Sequence, residues 1–428
     1  MERIEPDLGK EAEASKRILS SELLRSDAAV LLGLASVKLL LHFLTNGQYG
    51  YFRDELYYIA CGEHLDWGYV DQPPLIALIA KMSRLLLGDS LFALRFFPAL
   101  AGAVMVFLTG WIVHELGGQR YAQVLAALAV IVAPFYLAVD TFLSMNAFEP
   151  VFWTMGAYIV LRILKTENQR LWLWFGVVSG IGLQNKHSML FFGFGVVVGL
   201  LATPYRRCFR SKWIWVGAGI ALIIFLPNLI WQIHHHWSQL EVLKNARAYK
   251  NYAQSPLEFL LGEILLLQPL TFPIWLAGLI FYLFSKVGKA YRVLGWTYVV
   301  IFILLVILKG KIYYLAPAYP MLFASGALVI ENIIQQQNWS WLKPALPLIL
   351  IAGGLVTAPY GLPILPVETF IKYDRILQLS RSVKVERGSA EELPQLYADM
   401  FGWENLVVCI AISTSATSLG SPRKAGFP

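Results

Sequence analysis

The chain has 428 residues, of which 57% are hydrophobic and 15% charged, with a mean hydropathy of +0.57. Soluble domains run about 45–50% apolar and about 25% charged, so these figures exclude a cytosolic globular enzyme, and the abundance of Leu, Ile, Phe and Trp excludes disorder. Three cysteines exclude a disulfide scaffold; the net charge of +7 includes no basic run interleaved with stacking aromatics, so it points to Lys/Arg-rich cytoplasmic loops of a polytopic membrane protein and not to nucleic acid.

Residues 1–27 are charged, mixed in sign and without an apolar core, and read as a cytoplasmic segment, not a cleavable signal. Ala28–Asn46 is the first apolar run near the ~20 residues a span requires. A long, aromatic, acidic outer loop follows at 47–90. Its apolar spacing predicts two short surface helices, one around Tyr57–Leu65 and one over Leu75–Leu86, separated by Pro73 and Pro74. Further apolar runs lie at 91–113, 122–139, 147–164, 172–184, 188–203, 213–232, 259–284, 293–308, 314–330 and 343–358. The runs 172–184 and 188–203 are short and read as one tilted helix or a tight pair. About eleven spans keep the loop charges consistent, with 114–121, 162–171, 204–212, 285–292 and 331–343 inside. The fold class is an all-α polytopic membrane bundle, with a small amphipathic outer segment from 359 onward. Residues 409–428 turn Ser/Thr-rich and read as a truncated or frame-altered end.

Chemistry gathers in the outer segments. Asp54 and Glu55 follow the first span, where partial desolvation tunes a carboxylate for general-base work; a helix cap is the simpler reading, and the two are compatible. Arg95 opens the next span, and Lys309 and Lys311 stand at the outer end of a later one. Such cations suit a lipid-linked phosphate or only lipid headgroups. Asp140, Asn146 and Glu149 cluster where two spans meet, as a second acid facing the first loop or as helix caps. Lys186 lies between the two short spans and points to an outer cavity. Lys38 and His42 share one face of the first span, where a lysine must face the bundle or snorkel. His234, His235 and His236 form an interfacial belt beside Trp237, or lend one ligand to zinc. Pairs Gly176/Gly180 and Gly195/Gly199 favour close helix packing. Cys61, Cys208 and Cys409 read as structural, with a Cys61–Cys409 bridge left open.

The order YFRDELYY, DQPPL, LRFFPAL, SMNAFEP, NKHS, PNLIWQ and GKIYYLAPAYP resembles the bacterial branch of the dolichyl-phosphate-mannose protein mannosyltransferase superfamily over roughly residues 28–408. That branch includes galacturonosyltransferase-like and aminoarabinose transferase-like enzymes of lipopolysaccharide. The resemblance implies a GT-C architecture in the bacterial inner membrane, a catalytic domain over 28–358 and an active site facing the periplasm. It also implies a polyprenyl-phosphate sugar as donor and a glycolipid or protein as acceptor. Asp54, with Glu55 beside it, matches the family's catalytic base. Arg95, Lys309 and Lys311 are carried over as donor-phosphate ligands. Asp71, Gln72, Asp140, Asn146, Glu149 and Lys186 are further candidates for substrate contact. Some relatives hold a divalent metal between a first-loop Glu and a later His, for which Glu63 and His235 are the candidates. The main rival is a transporter or flippase, which calls for charges buried mid-membrane and broken helices in matched halves.

Overall fold

The computed structural model describes residues 8–250, 254–379 and 392–420. The expected segments 1–27 and 359–428 are thus covered in part, residues 1–7, 380–391 and 421–428 lying outside the described residues. Among the described residues every regular element is a helix and no strand is present. In chain order come α1 (Leu8–Thr45), α2 (Arg53–Glu63), α3 (Leu75–Leu87), α4 (Leu91–Glu115), α5 (Arg120–Val132), α6 (Pro134–Val139) and α7 (Met145–Thr166). Then follow α8 (Leu171–Asn185), α9 (Met189–Leu201), α10 (Lys212–His234), α11 (Ser238–Asn245), α12 (Pro256–Leu266) and α13 (Phe272–Phe284). Next are α14 (Arg292–Leu308), α15 (Tyr319–Gln336), α16 (Leu342–Thr357) and α17 (Val367–Leu377), and last α18 (Gln395–Ala398) and α19 (Trp403–Gly420).

Each of the eleven apolar runs falls on one or two helices, but among the described residues seven helices are long and apolar enough to cross a bilayer, or up to nine if each of two bent pairs is one span. The difference from eleven is geometric. The run 122–139 is broken at Pro134 into α5 and α6, and 172–184 falls on α8, which has 15 residues. At 1.5 Å per residue α8 is about 22 Å long, short of a hydrocarbon core of about 30 Å. The bent pairs are α9 with Pro204–Arg210, at 111°, and α12 with Pro269–Phe284, at 100°. The two short runs are separate helices with different neighbours, α8 packing on α10 and α9 on α14. The small-residue pairs make both contacts possible. A Cβ on Gly176 would sit 2.1 Å from the Gly217 carbonyl oxygen, and one on Gly199 2.6 Å from that of Val293. Without a hydrophobic drive between helices in lipid, such close backbone approach supplies the packing.

Ion pairs show which helix ends share a side. Asp27 takes Arg120 at 2.9 Å, Glu115 takes Arg162 at 2.6 Å and Lys165 at 3.0 Å, and Glu167 takes Arg207. Glu331 accepts from the backbone N–H groups of Gln119 and Ala122, capping α5 from α15. The basic segments therefore gather at one end. The first loop, the Ser144–Met145 turn, Lys186 and Trp231 gather at the other. All three cysteines are free thiols, Cys61 and Cys208 buried and Cys409 exposed, so the Cys61–Cys409 bridge is not formed.

Lys38 is fully buried and meets Asp140 at 3.0 Å, and its ammonium also donates to the Tyr136 carbonyl at 2.9 Å. The pair fixes the α6–α7 turn to α1. Removing one partner strands a buried charge, so Asp140→Ala is expected to cost about 3–5 kcal/mol, while Lys38→Met with Asp140→Leu restores most of it. Thermal unfolding in detergent checks this.

Candidate active site

The first loop is built around one buried ion pair. Glu55 and Arg95 are both 0% exposed, with Arg95 Nε 3.0 Å from Glu55 Oε1 and Nη2 2.9 Å from Oε2. The same carboxylate accepts from the Phe52 N–H at 2.8 Å, which caps α2, and from the Leu143 N–H at 2.9 Å, which ties in the α6–α7 turn. Arg95 sends its remaining N–H groups to the carbonyls of Asn46, Gln48 and Gly50. An arginine has five donors, and all five are used here. Two expectations change as a result. Glu55 is a saturated structural carboxylate with no lone pair left for a substrate proton. Arg95 has no donor left for an outside phosphate. The residue types carried the right charges, but each neutralises the other.

Asp54 is placed differently. It sits in the first turn of α2, where the helix dipole favours a carboxylate, and its side chain is 37% exposed. Its ion-pair partner is the neighbouring Arg53, at 3.0 Å, which also reaches Asp399 at 3.1 Å. The C-terminal segment thereby braces this turn: Asp399 accepts from the Arg53 N–H, and Phe52 packs with Phe142, Phe370, Tyr397 and Met400. Asp71 is exposed and accepts from the Tyr57 hydroxyl at 2.8 Å. Burial, then the Asp71 hydrogen bond, pushes the Tyr57 phenol up. Burial, then the charges of Asp54 and Asp71, pushes up Tyr58, so both phenols stay protonated donors beside the two carboxylates. Gln72, by contrast, is buried and donates to Cys61 Sγ at 3.6 Å; it holds the loop together and does not face a substrate.

A second group faces this one. Lys186 donates to Glu149 Oε2 at 2.6 Å and to Asn146 Oδ1 at 2.8 Å, and Glu149 also takes the Ser188 hydroxyl. The same ammonium lies 4.7 Å from the Tyr314 ring centre and 5.7 Å from that of Tyr313, which also has Lys311 at 5.8 Å. Tyr313 thus has two ammonium groups near its ring, and it is among the groups acting on Tyr58, as are Asp54 and Asp71. Lys309 ends α14 in a left-handed conformation, φ 53°, and is exposed. The structure therefore brings Asn146, Glu149, Lys186 and Lys311 toward the side of α2 that carries Tyr58. Asp140 belongs elsewhere, because Lys38 holds it inside the bundle. Ser144 is the cap of α7, accepting from the Asn146 N–H.

The sequence reading missed Tyr58, Tyr313 and Ser188. The paired tyrosines of YFRDELYY and KIYYLAPAYP, each next to a charge, were the available signal. No metal is claimed for the two conceivable ligands, Glu63 and His235. Glu63 takes Arg84 at 2.9 Å, His235 stacks on Trp231, and among the described residues no three His, Cys, Asp or Glu side chains converge on an ion.

Residues 71–231 match the family model described as dolichyl-phosphate-mannose-protein mannosyltransferase. The fold is similar to that of ArnT from Cupriavidus metallidurans in its apo state, with a TM-score of 0.62 and 15% identity over 87% of this chain and 75% of that one. The chain has the fold of ArnT, a GT-C fold. The undecaprenyl phosphate-bound ArnT gives a TM-score of 0.60 at 14% identity, with the same coverage. Mycobacterial arabinofuranosyltransferase AftD gives 0.52 at 16%, over 82% of this chain and 29% of that one. At these identities the likeness establishes the GT-C fold. Lipid A galacturonosyltransferase RgtD of Rhizobium johnstonii is 24% identical over 210 residues, covering 45% of this chain and 43% of RgtD, so this GT-C chain matches less than half the length of that relative.

Proposed function

We propose that the protein transfers a sugar from a polyprenyl-phosphate donor to an acceptor hydroxyl on the extracytoplasmic face of the bacterial inner membrane. The observation that carries this reading is the pair of ammonium groups, Lys186 and Lys311, beside the Tyr313 ring, with Asp54 and Tyr313 both acting on the Tyr58 phenol. Asp54 takes the proton of the acceptor hydroxyl, whose oxygen bonds to the anomeric carbon as the carbon–phosphate oxygen bond breaks. The configuration inverts, and the polyprenyl phosphate leaves with the bonding pair. Lys186 and Lys311, with Lys309 at the rim, stabilise that departing charge. Asn146 and Glu149 hold Lys186 in place for this task. The acceptor is a glycolipid such as lipid A or a protein. The division into an N-terminal segment 1–27, a catalytic bundle 28–358 and an outer segment 359–428 belongs to this reading.

The donor chemistry is supported by the ArnT complex with undecaprenyl phosphate, and a glycolipid acceptor by the lipid A in the name of RgtD. A transporter or flippase gains no comparable support, since the acids and cations of the site gather at one end of the bundle. The test uses purified protein in nanodiscs with a polyprenyl-phosphate sugar extract and envelope glycolipids, and mass spectrometry follows the lipids. Release of free polyprenyl phosphate together with a sugar mass gained by one acceptor is the expected result. Unchanged lipids with all fractions supplied would overturn the reading. Lys186→Gln is expected to lower the turnover number by about 10²–10³, the cost of losing one group that stabilises developing charge; steady-state kinetics on the same system checks it.

A further inference from the structure

α12 enters the bundle and turns by 100° into the segment that carries α13. In its last turn Glu263 is 0% exposed, and among the described residues its carboxylate oxygens have no ion-pair partner. Tyrosines stand beside it: Tyr319 meets its carboxylate, and Tyr136 and Tyr298 are close enough to be acted on by its charge. The Tyr319 hydroxyl faces Glu263 and accepts from the Tyr298 hydroxyl at 3.1 Å, and Tyr136 stands near enough to feel its charge. Trp275, whose ring packs edge-on against Tyr319 at 5.3 Å, leaves its buried indole N–H without a partner. An isolated ionised carboxylate in such surroundings is far too costly to persist, whereas the neutral acid offers one donor and one acceptor to hydroxyls of the same kind.

The position of α12 matters because of what rests on it. A Cβ on Gly262 would lie 2.5 Å from Ile312 Cδ1, so the glycine next to Glu263 seats the residue that follows Lys311. Tyr136, from the other side of the nest, donates to the Ala316 carbonyl at 2.7 Å. The loop carrying Lys309, Lys311 and Tyr313 is thus held from beneath by α12 and by the tyrosines that surround Glu263.

We infer that Glu263 is a positioning residue: as a neutral carboxylic acid in the Tyr136, Tyr298 and Tyr319 nest, it fixes α12 beneath the loop that presents Lys309 and Lys311 to the donor phosphate. The inference rests on the proposed donor site for its consequence, though the state of the acid is read separately. The first arm of the test is infrared spectroscopy of the full chain in nanodiscs at pH 8. A protonated-carboxyl stretch present in the wild type and absent in Glu263→Gln is expected; identical spectra would show an ionised or cation-bound carboxylate and overturn the neutral acid. The second arm titrates undecaprenyl phosphate into wild type, Glu263→Gln and Glu263→Met. Gln, which keeps both hydrogen-bonding functions, should bind as wild type does, and Met should bind about tenfold more weakly, about 1.4 kcal/mol. A Glu263→Met protein that binds as tightly as wild type overturns the positioning role alone. A wild type that binds no undecaprenyl phosphate overturns that role together with the donor reading.

Discussion

Replacing Asp54 with Asn is expected to lower sugar transfer by about 10²–10⁴ while the protein stays folded and still binds donor, because only the proton acceptor is lost. The expectation rests on the contrast between two adjacent acids. Asp54 is 37% exposed and has a partly exposed arginine beside it, so its removal strands no buried charge. Glu55 is 0% exposed and accepts from Arg95, Phe52 and Leu143. If the assignment were reversed, Asp54→Asn would be silent and Glu55→Gln would act on turnover alone. Turnover and donor affinity measured separately in both variants distinguish these outcomes, since a lost base lowers the first and a collapsed loop disturbs both.

The second large effect is on stability. Arg95→Ala is expected to cost about 3–5 kcal/mol, because it leaves Glu55 charged, buried and unpaired. Arg95→Lys should recover little of this. An ammonium cannot reproduce the planar fork that meets both Glu55 oxygens while also reaching the carbonyls of Asn46, Gln48 and Gly50. Thermal unfolding in detergent should therefore place Arg95→Ala and Arg95→Lys close together and well below wild type. An Arg95→Lys protein as stable as wild type would show that charge alone, and not the fork, holds the loop.

These pairings show what a sequence can and cannot convey here. Lipid requires long uninterrupted apolar runs, so the runs were legible, and their placement on helices follows. Whether a run spans alone was less legible, since Pro134 and the bend at Gln268–Pro269 are local events inside apolar text. The short first-loop helices were visible from their spacing and from Pro73 and Pro74, and α3 begins directly after Pro74. Asp54 stood out because a carboxylate directly after a span is costly. Partnerships were not visible. Arg95 and Glu55 are 40 residues apart, and each looked available until the fold joined them. Asp140 read as a neighbour of Asn146 and Glu149, yet its partner is Lys38 on α1. Lys186 read as a cation between two short spans, and its partners, Glu149 and Asn146, lie on a different helix. The bracing of the Asp54 turn by Asp399, and of Phe52 by Tyr397 and Met400, brings the far end of the chain onto the first loop in a way no local pattern announces.

The central claim is that an outer-face carboxylate drives transfer from a lipid-phosphate sugar. The most direct measurement is mass spectrometry of envelope lipids from a deletion strain complemented with wild type or with Asp54→Asn, at matched membrane levels. The account predicts that the mutant strain accumulates the polyprenyl-phosphate sugar while one acceptor lacks that sugar's mass, and that wild type reverses both. A mutant strain with the full wild-type lipid profile would contradict it.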